Sequence, residues 1–188
     1  MSRILEVKII GLAAVLTKLG ATPKKILQAA KRGELKHALR IQRAAQKKIP
    51  VDYGNLRAST FTASAKGKDS GISFLWRSFT GDDAKEVKNS TYLSIRRCEK
   101  EAEDLLAQFR QTVFVGFGAN YAFFVHESKQ KWKGRKIKRG KGRWHVIWGT
   151  GEPKFLEKAV AEVGGHSGLL RSIRDELSKE IEKMWEGS

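Results

Sequence analysis

An amphipathic pattern between Thr22 and Ile49 constrains the fold of this chain more than any other feature of its sequence. Thr22 and Pro23 make a favourable helix start, because threonine can cap the first turn and proline suits the first helical position. Pro50 ends the pattern, because a residue that precedes proline is displaced from the α region. Apolar residues occupy one broad stripe, and most lysines and arginines occupy the other faces. The sequence therefore predicts one long helix, which Gly33 could kink or divide.

The rest of the chain alternates β-like and helical segments. Arg57–Lys66 and Gly71–Phe79 predict a pair of strands, and Thr112–Phe117 is apolar throughout, which predicts a central strand. Lys85–Phe109 predicts a second long helix, and Tyr121–His126 fits either a strand or a helix. The C-terminal part adds a short strand at Trp144–Trp148, a helix that starts at Pro153, a break at Gly164–Gly168 and an amphipathic helix at Leu169–Trp185.

This order of elements predicts one α+β domain over residues 1–188, with a mostly antiparallel sheet packed against the long N-terminal helix and C-terminal helices. We expect residues 129–143 to form a basic loop. The first 20 residues fit a strand or a helix. Ile4–Leu19 is apolar but interrupted by lysines, so we expect packed structure there and neither a signal peptide nor a membrane span.

The charge of the chain points to a polyanionic partner. Lysine and arginine total 37 against 20 acidic residues, which gives a formal net charge of +17 and a pI near 10.1. Such a surplus destabilises a compact state by self-repulsion unless an anion lies nearby. Nucleic acid is the expected partner, and an anionic membrane surface is disfavoured because no amphipathic helix with an aromatic face stands out.

The densest basic segment lies between Lys129 and Arg143 and contains no acidic residue. A compact core cannot form there, so we expect a mobile loop or a hairpin arm. Its cations suit non-specific contacts with DNA phosphates, or alternatively an acidic patch on a partner protein. The nine cations are Lys129, Lys131, Lys133, Arg135, Lys136, Lys138, Arg139, Lys141 and Arg143.

Three segments carry a family resemblance. The segment Ile49–Ser59 reads IPVDYGNLRAS and resembles the PVDTGxLRxS motif of phage minor tail components. Val113–Gly116 with Asn120–Glu127 is similar to that family's VxVG…YAxxVExGT segment. Glu152–Ala159 is similar to its PRPFLxPA segment. Because the three segments occur in the family's order, the chain resembles the tail-completion or neck proteins typified by gene product ten of a lambdoid phage.

The resemblance implies structural work in a virion and no catalytic centre. It implies a homo-oligomeric ring at the head–tail interface, a hexamer or alternatively a ring of twelve, that contacts connector and tail-tube proteins and lets viral DNA pass. Assembly would take place in the host cytoplasm. The residues that carry the motifs, and are implied as structural or interface positions, are Pro50, Asp52, Gly54, Leu56, Arg57, Gly116, Tyr121, Pro153, Phe155 and Leu156.

The sequence also departs from the family pattern. Tyr53 stands where the family usually has threonine, and the Gly-Thr pair expected soon after Glu127 is absent there. Gly149-Thr150 is interpreted as its displaced counterpart. Relative to the family, the helix at 83–110 is interpreted as an insertion between the two sheet segments. The first motif makes sense without the family as a helix-to-strand corner, since Asp52 suits an Asx-type turn and Gly54 permits positive φ. A second hypothesis pairs Arg57 with a carboxylate of a neighbouring subunit.

The residue pattern predicts no enzyme, cofactor or metal site. Gly116-Phe117-Gly118 lacks the third glycine of a dinucleotide fingerprint, and no P-loop is present. We expect His126 to be a sheet-edge histidine with its hydrogen bonds satisfied, because no second carboxylate supports a metal or nuclease centre beside Glu127. Cys98 is expected to be a buried small side chain. A stand-alone nucleic-acid-binding module remains the alternative function, and a nuclease the third.

Overall fold

The computed structural model describes residues 23–64, 72–74, 79–109, 113–128, 134, 136–139, 143–146 and 151–186. The predicted α+β class is confirmed: helices pack around an antiparallel sheet. The elements are α1 (Pro23–Lys48), α2 (Asn55–Ala58), β1 (Thr60–Ser64), β2 (Ile72–Phe74), α3 (Ala84–Phe109), β3 (Val113–Phe117), α4 (Ala122–Glu127), β4 (Lys136–Arg139), β5 (Arg143–Val146), α5 (Phe155–Glu162) and α6 (Gly165–Glu186). The predictions for residues 1–20 and for Gly149-Thr150 lie outside the described residues.

The main sheet has three antiparallel strands in the order β2–β1–β3. Strand β1 is therefore central, and β3 lies at an edge within the described part of the chain. The prediction that the apolar run at Thr112–Phe117 forms the central strand was wrong. An edge strand reads as continuously apolar when its faces are covered, and here α1 and α3 both pack on β3.

Helix α1 confirms the predicted long N-terminal helix, and Gly33 does not divide it. Instead, Gly33 is where α6 crosses α1 at close range. A Cβ atom at this position would lie 2.6 Å from Ile173 Cα and 2.8 Å from Ser172 O. Glycine is therefore required by the approach of the two backbones and not by helix geometry.

Polar contacts fix the crossing of α1 and α6. Ser172 and Glu176 of α6 are buried against α1, so the face that α6 buries is not purely apolar. Lys36 Nζ lies 2.6 Å from Glu176 Oε1, and Arg32 Nη2 lies 2.6 Å from Glu180 Oε2. The hydrogen bond from Lys36 lowers the pKa of Glu176. A carboxylate buried this far needs a cation. The acidic residues of α6 therefore require the basic residues of α1 that face them.

Helix α1 also bonds to the sheet through a buried amide. Gln42 Nε2 donates to Thr60 O at 3.2 Å, and Thr62 Oγ1 donates to Gln42 Oε1 at 3.0 Å. All three residues are buried. A satisfied polar bridge of this kind fixes the register of the helix along β1, which apolar contacts alone would leave less specific.

Helix α3, predicted as an insertion, covers the sheet. Val87, Thr91 and Ile95 are buried, and a Cβ at Gly118 would lie only 2.2 Å from Thr91 Cα. Tyr92, the next residue along, lies outside the buried face and is 40% exposed. Helix α3 packs so close to Gly118 that the small side chain of Thr91 fits between them, whereas the ring of Tyr92 would not.

The C-terminal boundary differs from the predicted break at Gly164–Gly168. Gly164 and Gly165 have φ values of 92° and 49°, and α6 begins at Gly165 and not at Leu169. Two residues in the left-handed region reverse the chain at once. The remaining residues of the predicted break are helical.

Glu34, the one acidic residue of α1, predicts a pH-dependent stability. Burial raises its pKa to about 7. The carboxyl therefore stays protonated in the folded state up to that pH, and the cost of ionising it develops as the pH rises from about 4.5 to about 7. We expect Glu34→Gln to raise the free energy of unfolding by about 1–2 kcal/mol at pH 8, discounted for partial exposure, and to change little at pH 4. Urea titrations at both pH values measure this; equal effects at both would contradict it.

Candidate nucleic-acid and partner interface

The three sequence motifs meet at one place in the fold. Leu56 of the first motif, Ala122 of the second and Phe155 of the third are buried in one apolar cluster. We call this cluster the motif junction. Its members are Ile49, Leu56, Val87, Ala119, Ala122 and Phe155.

Phe155 is the centre of the motif junction. Its ring is fully buried and meets Phe117 edge-on at a centroid distance of 5.0 Å. The imidazole of His126 packs against the same ring edge-on at 4.8 Å. Leu156 and Tyr121, also motif positions, are partly buried and pack against the cluster.

Backbone hydrogen bonds join the same three segments. Gly118 N donates to Ser59 O at 2.9 Å and ties the second motif to the first. Glu152 N donates to Lys48 O at 3.0 Å, and Lys154 N donates to His126 O at 2.8 Å. The third motif is therefore hydrogen-bonded to the second motif and to the residue that precedes the first. These bonds fix the junction independently of its side chains.

The first motif forms the predicted corner with one correction. Pro50 is buried, and Gly54 has the expected positive φ, 87°. The chain then makes the short helix α2 before β1 begins, so Arg57 does not lead directly into a strand. Asp52 and Arg57 are half-buried, and the pairing of Arg57 with a neighbouring subunit stays a prediction.

Asn55 fixes this corner to the start of α3, a role that the sequence did not reveal. Its Nδ2 donates to Thr80 O at 2.7 Å and to Asp83 Oδ1 at 2.9 Å, while its Oδ1 accepts from Thr80 N at 2.9 Å. The side chain is buried, so the geometry requires an amide that both donates and accepts.

The other two motifs have separate backbone requirements. A Cβ at Gly116 would lie 2.8 Å from the ring of Phe61, so the glycine lets that ring pack on β3. In the third motif, Pro153 does not begin the helix as predicted. Lys154 adopts φ 55°, and α5 starts at Phe155. The left-handed residue turns Phe155 into the motif junction.

The basic segment Lys129–Arg143, here called the basic arm, lies between the second and third motifs. Of the two predicted alternatives, the hairpin is found: β4 pairs antiparallel with β5, with Lys136 opposite Val146 and Arg139 opposite Arg143. Lys136 is exposed. Lys129, Lys131, Lys133, Arg135 and Lys141 lie outside the described residues, and for Lys138, Arg139 and Arg143 only the backbone is described.

The positive charge of the protein is concentrated in two segments. The basic arm has nine cations and no acid, and α1 has nine lysines and arginines and one acid, Glu34. These two segments account for the whole net charge of +17, because the rest of the chain has equal numbers of basic and acidic residues. Any polyanion must therefore be attracted mainly by α1 and the arm.

Part of the α1 charge is neutralised within the fold. Glu176 and Glu180 of α6 pair with Arg32 and Lys36, and Glu162 of α5 lies 2.8 Å from Lys48. The basic arm contains no acidic residue in its own sequence.

A further row of cations lies on the exposed side of α1. Lys36, Arg40, Arg43 and Lys47 follow at spacings of four, three and four residues and share one exposed helix face. Arg40 Nη1 donates to Ser172 Oγ at 3.3 Å, a neutral partner that leaves its charge in place. This face gives a weaker, second positive surface.

His126 does not lie at a sheet edge as expected. It is in α4, and the fold brings a second carboxylate, Glu157, close to His126 and Glu127. The three ligand atoms lie within 4.8 Å of one another. Lys154 forms ion pairs with both carboxylates, so a single ammonium bridges them. Its hydrogen bond, together with that of His126, lowers the pKa of Glu127.

An exposed aromatic pair lies on α4 beside this cluster. Phe123 and Phe124 are 69% and 72% exposed, and their rings meet edge-on at 6.0 Å. Their neighbours Ala122 and Val125 pack against the motif junction. Sequence reasoning missed the pair because the segment YAFFVH was interpreted only as an apolar element.

No family model, curated protein or solved structure matches the chain. Within the described residues, no helix has the length and apolar character needed to cross a membrane.

Proposed function

We propose that this protein is a structural virion protein of a tailed phage, a ring-forming tail-completion, terminator or neck subunit at the head–tail junction. The observation that carries the proposal is the convergence of the three family-like segments at the motif junction. Leu56, Ala122 and Phe155 come from segments far apart in the chain and are buried together.

The contacts explain why particular residues of the three motifs occur at their positions. Gly54 supplies a positive φ, Gly116 accommodates the ring of Phe61, and Phe155 fills the junction. A chance match in three separate segments would not need to bring them into contact. The contact between the three segments shows that they form one structural unit in this chain, and this supports treating them as one family-like signature.

The basic arm supports the passage of DNA. The arm is joined to the junction at both ends, since it follows α4 and precedes Glu152, whose amide bonds to Lys48 O. In a ring, each copy would present one arm, and arms that face the lumen would form a positive collar. Phosphate contacts of this kind are independent of sequence and let a duplex slide.

The expected result of a mass measurement is a closed ring. Native mass spectrometry and negative-stain electron microscopy of the purified protein should show a hexamer or, alternatively, a ring of twelve with a central channel. A ring is expected because head-to-tail interfaces between identical subunits close when the rotation between them allows it. Connector and tail-tube proteins of the same virus should stack on this ring. A protein that stays monomeric and never enters particles would contradict the proposal.

A stand-alone nucleic-acid-binding module is the second candidate. The observation that favours it is the confinement of the whole +17 charge to α1 and the basic arm. That module would bind duplex DNA tightly as a monomer, with strong salt dependence, and would be absent from purified virions. Mass and virion content therefore separate the two candidates.

A further inference from the structure

We infer that Phe123 and Phe124 form a stacking platform for unpaired nucleic-acid bases at the base of the basic arm. Phosphate contacts by the arm would hold the strand, and the two rings would hold its bases. This inference rests on the DNA contact proposed for the arm, but it does not require a ring.

The first support is the exposure of both rings. Each is more than two-thirds exposed, whereas Ala122 on the same short helix is 8% exposed. Leaving two phenylalanines in water forgoes apolar burial that a helix of this size would otherwise use. Since the fold buries the other face of α4 in the motif junction, the outward pair is not needed for packing.

The second support is the distance along the chain to the cations. Lys129, the first cation of the arm, follows Phe124 by five positions in the sequence. A fully extended chain covers about 18 Å over five residues, so the arm begins close to the pair along the chain. Single-strand binding sites combine these two elements, a cationic track for the backbone and aromatic rings for successive bases.

The third support is the pairing of Glu127, the acidic residue of α4. Glu127 follows Phe124 by three residues and would repel phosphates, but Lys154 and His126 both bond to its carboxylate. Lys154 also pairs with Glu157. The carboxylate of α4 is therefore already engaged by other side chains.

Binding of a labelled oligo-dT strand tests the inference. Its length should be about 16 nucleotides, the upper end of the site sizes of stacking grooves, and a duplex of the same length serves for comparison. Fluorescence anisotropy at fixed salt should show that the double variant Phe123→Ala/Phe124→Ala binds oligo-dT about 30-fold more weakly. Its affinity for the duplex should change less than about threefold, because paired bases offer no face to the rings.

Two further variants keep the test decisive if the alanine variant folds poorly. Phe123→Leu/Phe124→Leu preserves apolar surface but removes the flat rings, and it should lose oligo-dT affinity. Phe123→Trp/Phe124→Trp should retain or strengthen it. Leu93→Ala, at another exposed apolar position on α3, is the matched control and should leave oligo-dT affinity unchanged.

Three results would overturn the inference. Unchanged oligo-dT binding by the alanine and leucine variants would show that no base stacks there. Equal loss of duplex and oligo-dT binding would place the effect on phosphate contacts. Intact oligo-dT binding with loss of self-assembly would identify the pair as a docking face for a second copy. Failure of duplex binding in the unmodified protein would contradict the proposed function separately.

Discussion

Replacing all nine cations of the basic arm with glutamine should lower the affinity for duplex DNA by at least about 10³-fold at 50 mM salt. Each arm cation that contacts a phosphate releases a condensed counterion, and this release dominates non-specific affinity. With about nine such contacts, the slope of log K against log salt concentration should be near −8 in the unmodified protein. In the arm variant the slope should be much shallower, because only the few phosphate contacts that α1 can supply would remain.

Anisotropy titrations with a duplex at several salt concentrations measure both quantities. The matched control neutralises the five cations of α3, which lies in the electrically neutral part of the chain. We expect that control to change the slope by no more than about one. A steep slope that survives in the arm variant would assign the DNA contact to α1 and remove the basis of the positive collar. Ring formation by the arm variant would show that the collar and the subunit interface are separate.

Phe155→Ala should lower the free energy of unfolding by about 3–5 kcal/mol. The ring is fully buried, it meets Phe117 and His126 edge-on, and its removal leaves a cavity where all three motif segments meet. The backbone bonds from Glu152 and Lys154 hold the surrounding chain in place, so the cavity can collapse only partly. A loss this large approaches the whole stability of an ordinary domain, and the variant should form rings poorly.

Urea denaturation followed by circular dichroism measures the loss. Leu93→Ala is the control, since Leu93 is 59% exposed and its truncation should cost less than about 0.5 kcal/mol. A second variant, Phe155→Leu, restores most of the volume and should recover more than half of the loss. A loss below about 1 kcal/mol in Phe155→Ala would show that the motif junction is not the centre of the fold, which would weaken the structural argument for the family.

The local features of the sequence determined the parts of the fold that depend on neighbouring residues alone. Pro23 and Pro50 predicted the limits of α1 because proline restricts its own φ and the conformation before it. Gly54 predicted the positive φ of the corner for the same kind of reason. Strand-forming and helical periodicities predicted the α+β class, and the run of cations limited the arm to a loop or hairpin.

Only the tertiary structure decided which faces are covered and by what. Apolar spacing did not show that β3 lies at an edge, that α6 buries Glu176, or that Gly33 marks a helix crossing. It also did not show the exposure of Phe123 and Phe124. The physical reason is that periodicity reports which side chains share a face, whereas burial, ion pairing and close backbone approach depend on segments that are distant in the chain and adjacent only after folding.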